Sequence, residues 1–355
     1  MNQQTYHRLV SGQSKSLAAA VVRLLLTILS WFYRLGVCLR NFFYSAGLLK
    51  IHRVNAAVIS VGNITVGGTG KTPLVIWLSR FLAEKNIHCA ILTRGYKTRK
   101  TKLTDEPAIL AKGCPDAEII VNPDRVSAAR EAIEKSDIQV VLMDDGFQHR
   151  RLKRDLDIVT IDAMRPFGYG RVLPAGLLRE PAAALKRAHA AVVTRCDLVG
   201  QDNLTQIENK IRQINPDIVI ARSIHSAVCA KSTDPKQFEL EQLRDRRIFA
   251  FCGIGNPDAF FGTIQGLGLN LLGSQSYNDH HCYTHDCLTD ICEEATYLNA
   301  DMILTTQKDW TKTALLMPSK NIPLAYLAIE LRLLTGKDQL INLIEEALAG
   351  RIQLE

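Results

Sequence analysis

Acidic residues are missing from the first 83 positions, and the first to appear is Glu84. Nine basic residues precede it: Arg8, Lys15, Arg23, Arg34, Arg40, Lys50, Arg53, Lys71 and Arg80. The rest of the chain carries 34 basic residues against 36 acidic ones, so the net charge of +7 arises entirely in the N-terminal quarter. Such asymmetry implies an anionic partner at that end, either a membrane surface or nucleic acid. No recognition motif for nucleic acid accompanies it, so none is expected as a partner. CxxC pairs are also missing. The nine cysteines are scattered from Cys38 to Cys292, which argues against a zinc ribbon and favours a reducing compartment over a disulfide scaffold. With 47% hydrophobic and 22% charged residues, disordered and collagen-like chains are excluded. A length of 355 residues suits two domains at about 150 residues each.

A charge-free run long enough to cross a bilayer is lacking too. Residues 17–39 are strongly apolar, but Arg23 and Arg34 interrupt them. Each arginine would cost about 2.5–3.5 kcal/mol at a bilayer centre. The longest uncharged run there, Leu24 to Tyr33, falls short of the roughly 20 residues that a span requires. Arg23, Thr27, Ser30, Arg34 and Asn41 fall on one narrow stripe at helical pitch. One reading is a helix packed on its own domain. The favoured one is an interfacial helix whose arginines reach anionic headgroups, with Trp31, Phe32, Tyr33, Phe42, Phe43 and Tyr44 as interfacial aromatics.

What is present is a phosphate-binding pattern. Residues 56–61 read as a buried strand, GNITVGGTGKTP follows at 62–73, and a helical pattern covers 74–82. Gly67, Gly68 and Gly70 permit a loop whose backbone N–H groups surround phosphate oxygens, and the helix behind them adds its positive end. In such a loop Lys71 reaches the β- and γ-phosphates and the Thr72 hydroxyl ligates Mg²⁺. The loop is atypical, since Thr65 stands where GxxxxGK[ST] has its first glycine. A second strand at 138–143 ends in Asp144 and Asp145, carboxylates suited to Mg²⁺ or its water shell. A basic run, His149 to Arg154, follows and could meet an anionic substrate or be a solvated face.

Further strands are expected at 88–94, 156–161, 190–194, 247–252, 269–272, 301–305 and 324–329, with a closing helix at 338–349. Alternating strands and helices predict an α/β protein. Its parts are an N-terminal membrane-associated segment (1–50), a parallel-sheet P-loop core (51–222) and a smaller C-terminal α/β domain (223–355). The polar stretch from Ser226 to Arg244 reads as the joint between the domains. Thr194–Arg195–Cys196–Asp197 loosely resembles the [NT]KxD guanine-reading motif, with arginine in place of lysine, and otherwise reads as a solvated turn.

The motifs GNITVGGTGKTP, TRGY, DEP, DDGFQH, PAGLLREP, GIGNP, DHH and TTxKD occur in the order found in tetraacyldisaccharide 4′-kinases, the lipid A kinases of Gram-negative bacteria. The resemblance runs from the N-terminal apolar helix to about residue 330. Two departures stand out: Thr104 precedes DEP where glycine is usual, and Gln307 occupies the variable place in TTxKD where glutamate is usual. The resemblance implies transfer of the ATP γ-phosphate to the 4′-hydroxyl of an anionic acylated glucosamine disaccharide at the cytoplasmic face of the inner membrane. It implies ATP and Mg²⁺ as cofactors, and no protein partner is inferred. Asp105 is then the acceptor for the hydroxyl proton, coupled to His280, and closure between domains would join them. Thr69 belongs with the loop glycines around the nucleotide. Arg179 sits beside the phosphates, Glu180 on the Mg²⁺ side, and Gln148, His149 and Arg125 near nucleotide or substrate. Two rival readings stay open. In one, the chain is a P-loop switch or metallochaperone that uses the His/Cys cluster at 280–292. In the other, it is a non-enzymatic nucleotide-binding membrane protein.

Overall fold

The computed structural model describes residues 3–95, 105–232, 237–279, 281–314, 316–317 and 322–351. By internal packing the chain forms two compact units. The first comprises Met1–Lys100, Leu110–Ile224 and Leu333–Glu355, and the second Thr101–Ile109 and His225–Arg332.

The first unit opens with helices α1 (Gln3–Val10) and α2 (Leu17–Ser45). Ser16 caps α2, its side chain accepting from the Ala19 N–H. There follow β1 (Ala57–Asn63), α3 (Lys71–Glu84) and β2 (Cys89–Thr93). Helix α4 (Asp105–Gly113) crosses the boundary between the units, and β3 (Glu118–Val121), α5 (Arg125–Lys135) and β4 (Val140–Asp144) come next. The series ends with β5 (Leu156–Asp162), β6 (Ala190–Thr194), α6 (Gln201–Ile214) and the first half of β7 (Val219–Ser232). The strands lie in the order β7-β6-β5-β1-β4-β2-β3, all parallel. Strands β1, β2, β4, β5 and β6 are buried along their whole length, which is why they read as unbroken apolar runs. Parallel pairing brings all their carboxyl ends to one edge, and β1 lies between β4 and β5 at that edge. The phosphate loop after β1 and the carboxylates after β4 are thereby neighbours.

Two apolar layers sandwich this sheet. One contains Val58, Leu92, Val126, Ala129 and Met143, the other Ile64, Phe147, Ile161, Val193 and Ile207. Phe147 packs directly over Gly62, where any added Cβ would lie 2.5 Å from the Phe147 Cβ. The GNIT and DDGFQH motifs are thus locked together by a contact that only glycine permits.

The second unit contains the rest of β7, then β8 (Gln237–Glu239), α7 (Leu240–Arg244), β9 (Arg247–Cys252), α8 (Pro257–Gly266) and β10 (Asn270–Ser276). It continues with α9 (His285–Tyr297), β11 (Met302–Thr306), α10 (Gln307–Thr313) and most of β12 (Leu324–Thr335). Its parallel strands run β10-β9-β11-β12, while β8 pairs antiparallel with β7. The closing helix α11 (Lys337–Ala349) belongs to the first unit, where Arg351 behind it pairs with Asp155 at 2.9 Å.

Two expectations need correction. The stretch 226–244, read as a polar joint, is built mostly of β7, β8 and α7, because Ala227, Cys229, Ala230 and Leu243 supply buried apolar contacts among its polar residues. Most of the polar stripe of α2 does not face outward, although Arg34 is exposed. Ser30 is buried and donates to the Val172 carbonyl at 3.1 Å, Thr27 Oγ1 accepts from Arg171 at 3.1 Å, and Arg23 donates to the Ser14 carbonyl at 2.6 Å. Thr27, Ser30 and Asn41 mark the edge by which α2 docks, and Leu24, Leu25, Trp31, Phe32, Phe42 and Phe43 are on the exposed face. Helix α2 is long and apolar enough to cross a membrane.

Candidate active site

The site begins where β1 ends. Gly67 and Gly70 hold φ of +110° and +84°, values open to glycine, of the kind that lets successive N–H groups of a loop turn toward one anion. Gly70 is also the N-cap of α3, and no side chain caps that helix. The orphan N–H groups of its first turn are left for an anion, and the 14-residue helix adds its dipole. The loop is braced from behind. Thr69 Oγ1 lies 2.9 Å from Asn63 Nδ2 and 2.7 Å from Thr160 Oγ1. Thr194 Oγ1 donates to the Thr69 carbonyl at 3.0 Å, and Arg195 Nη2 donates to the Gly68 carbonyl at 2.8 Å. Arg195 is in turn ion-paired with buried Asp162 at 2.7 Å. The solvated turn expected at 194–197 is therefore a brace of the phosphate loop, formed because β6 lies one strand beyond β5 in the sheet.

Asp145 follows β4 in the left-handed region, at φ +55°, a conformation that aspartate tolerates better than most residues. Lys71 Nζ lies 3.4 Å from its Oδ1, and Arg179 Nη1 donates to both carboxylate oxygens at 2.8 Å. Arg179 is placed by its own backbone N–H, which donates to the Ile64 carbonyl at 2.7 Å. Gln148 Nε2 donates to the Asn63 carbonyl at 2.8 Å. Lys71, Asp145, Arg179 and Gln148 are thus brought together around the loop. Asp144 is buried at the end of β4, and Arg125 Nη2 donates to its backbone carbonyl at 3.2 Å. Arg125 therefore shapes the main chain there. His149 is partly buried, and that burial, followed by the Arg125 guanidinium, depresses its pKa below the usual imidazole value.

Glu180 is 1% exposed. Its Oε2 accepts from Asn41 Nδ2 at 2.8 Å and lies 3.0 Å from Arg187 Nη2, while Oε1 is buried without a hydrogen-bond partner. An orphaned buried carboxylate oxygen fits a hard cation. Among the described residues, no three His, Cys, Asp or Glu side chains converge closely enough to cage a metal alone. That suits Mg²⁺, which prefers one or two carboxylates plus substrate phosphates and water. Asn41, Arg187 and Arg195 were not singled out from the sequence for this site.

In the second unit, GIGNP, the DHH segment and TTQKD converge on Asp309, which is fully buried. It accepts from the Gly253 N–H at 2.9 Å, Thr306 Oγ1 at 2.6 Å and the Tyr283 hydroxyl at 3.1 Å. Lys308 Nζ pairs with Asp279 at 2.8 Å. These bonds fix both sides of the DHH segment. His280 itself lies outside the described residues. Asp105 is the first residue of α4, and its side chain lies outside them as well.

Burial alone would raise the Asp145 carboxyl, but the charges and hydrogen bonds of Lys71 and Arg179 outweigh it and hold the pKa down to about 2. Such a depressed carboxyl contributes stability that is fully present above the ordinary aspartate value of about 3.9. That stability is lost as the pH falls through about 2. An acid limb in any pH–rate profile near neutrality therefore belongs to another group. In Arg179→Ala the Asp145 carboxyl should titrate nearer the ordinary range, as read by carbon-detected NMR, and an unmoved titration would contradict the pairing.

The sequence model of the tetraacyldisaccharide-1-P 4′-kinase family matches residues 22–349. A tetraacyldisaccharide 4′-kinase of Halothermothrix orenii is 35% identical over 332 residues, 86% of each chain. One of Syntrophus aciditrophicus is 39% identical over 337 residues, covering 87% of this chain and 89% of its own. Among solved structures, LpxK from Aquifex aeolicus in complex with ATP superposes with a TM-score of 0.71 at 29% identity, covering 92% of this chain and 99% of that one. The chain belongs to the tetraacyldisaccharide-1-P 4′-kinase family.

Proposed function

We infer that this protein transfers the γ-phosphate of ATP to the 4′-hydroxyl of a tetraacyldisaccharide 1-phosphate, a step of lipid A biosynthesis. The observation that carries this reading is the uncapped α3 N-terminus with Lys71, Arg179 and Asp145 around it, in a chain of this family. Gly67, Gly68, Thr69 and Gly70 cradle the phosphates, with Gln148 and His149 beside the nucleotide. Lys71 and Arg179 offset charge on the transferring group. Thr72, Asp144, Asp145 and Glu180 would hold Mg²⁺, which supplies further charge neutralisation on the phosphate oxygens when bound. The acceptor hydroxyl gives its proton to Asp105, paired with His280, as its oxygen bonds to the γ-phosphorus and ADP leaves. The outward apolar face of α2 lies in the cytoplasmic leaflet of the inner membrane, where the acylated disaccharide resides.

The test is transfer of labelled γ-phosphate from ATP to tetraacyldisaccharide 1-phosphate in detergent micelles. Label in the lipid is the expected result. Nucleotide hydrolysis that proceeds without lipid, with no label transferred, would overturn the reading in favour of a P-loop switch.

A further inference from the structure

Helix α2 carries the exposed apolar face, yet its inward edge reaches the phosphate site. The Tyr33 hydroxyl donates to the Arg179 carbonyl at 2.8 Å, and Arg40 Nη2 donates to the Gln148 carbonyl at 2.7 Å. Asn41 Nδ2 donates to Glu180 Oε2 at 2.8 Å. The contact is returned, since Arg150 Nη1 donates to the Asn41 carbonyl at 2.8 Å and Nη2 to Ser45 Oγ at 3.2 Å. The stretch of α2 from Tyr33 to Asn41, just over two turns, is therefore fastened to three residues of the candidate site. The Asn41 bond is the one that meets an ionised side chain there. A neutral amide donor orients a carboxylate without cancelling its charge, which a second arginine or lysine would do. Arg187 and Asn41 both engage Oε2 and leave Oε1 as the buried, unbonded oxygen.

We propose that Asn41 is a positioning residue: through its bond to Glu180 Oε2, helix α2 fixes which carboxylate oxygen is free to act at the phosphate site, so the lipid-facing helix is also part of the catalytic framework. The proposal rests on Glu180 being a Mg²⁺-side carboxylate. Its physical basis is that a partner orienting a metal-side ligand typically carries about 10–100-fold in metal affinity or activity. An outward-facing tether with no such bond would carry none.

The experiment uses the full chain in detergent and three variants, Asn41→Ala, Asn41→Asp and Glu180→Gln. Calorimetry measures affinity for a non-hydrolysable ATP analogue with and without Mg²⁺. Flotation with phosphatidylethanolamine–phosphatidylglycerol vesicles measures membrane attachment. Asn41→Ala should weaken the Mg²⁺-dependent part of nucleotide affinity by about 10–100-fold and leave flotation unchanged. Asn41→Asp keeps the shape but sets a carboxylate against Glu180, so it should be at least as defective as Asn41→Ala. A packing role would instead be rescued by the near-isosteric aspartate. Wild-type Mg²⁺ dependence in both Asn41 variants, with Glu180→Gln impaired, would overturn the role of Asn41 alone. Wild-type dependence in Glu180→Gln would overturn the assignment of Glu180 and the proposal with it.

Discussion

Lys71→Ala should abolish most phosphoryl transfer, by about 10³-fold or more in kcat, while the protein remains folded. Two energies decide this. As a structural element, Lys71 contributes a partly exposed ion pair to Asp145 at 3.4 Å, and pairs of that kind are worth at most about 1 kcal/mol. Asp145 would keep both bonds from Arg179, so no buried charge is stranded. As a catalytic element, the ammonium stands at the uncapped end of α3, where charge develops on the transferring group. A donor aimed at such charge contributes several kcal/mol in a water-poor site, far more than it contributes to folding. The fall should appear mainly in kcat, with a smaller rise in KM for ATP, because the interaction strengthens toward the transition state. Lys71→Arg should not restore the rate, since a planar guanidinium differs in reach and hydration from a compact ammonium. Labelled-phosphate kinetics beside a thermal melt check both halves. Activity within tenfold of wild type, or a melt that collapses, would remove Lys71 from the role assigned to it.

Much of this site was legible because its parts are contiguous in the chain. The loop Gly67–Thr72, the pair Asp144–Asp145 and the pair Arg179–Glu180 each lie within a short motif, and strand-end chemistry explains the residue types. The buried strands β1, β2, β4, β5 and β6 were legible from unbroken apolar runs. Edge strand β3 was not, because Glu118–Val121 is only partly buried and too short to give a pattern. The stripe on α2 was visible, but helical pitch gives the width of a stripe and not the environment it meets. Here the minority polar residues found main-chain carbonyls and Glu180 to bond, so the apolar majority was left outside. Asn41 and Glu180 are 139 positions apart, and nothing in either local sequence announces their bond. The motifs on either side of His280, by contrast, were named by the motif order, and in this chain Asp309 joins three of them.

Arg195 was the most misleading residue in the sequence, and its replacement should have the largest effect on stability. It follows β6 in the left-handed region, at φ +58°, so the side chain leaves a tight turn. Its guanidinium reaches Gly68 on one side and Asp162 on the other, and both charged side chains are less than a tenth exposed. Asp162 also accepts from the Met164 N–H at 3.2 Å, so its carboxylate is held in place when the arginine is removed. Arg195→Ala takes the guanidinium away from a buried carboxylate, at a cost of up to about 3–5 kcal/mol. For a unit of this size that is a drop in melting temperature on the order of 10 °C. Replacing both partners by apolar residues of similar volume, as in Arg195→Met with Asp162→Leu, should recover much of the loss, because it also removes the buried carboxylate that lost its guanidinium. The same double variant would still lack the donor to the Gly68 carbonyl. Stability would return while the KM for ATP stayed raised, separating the brace on the phosphate loop from the burial of Asp162. Arg195→Ala melting within about 2 °C of wild type would mean that water reaches Asp162 and that the pair carries little. A double variant with normal KM would mean that the loop holds its shape through Thr69, Asn63 and Thr160 without the arginine.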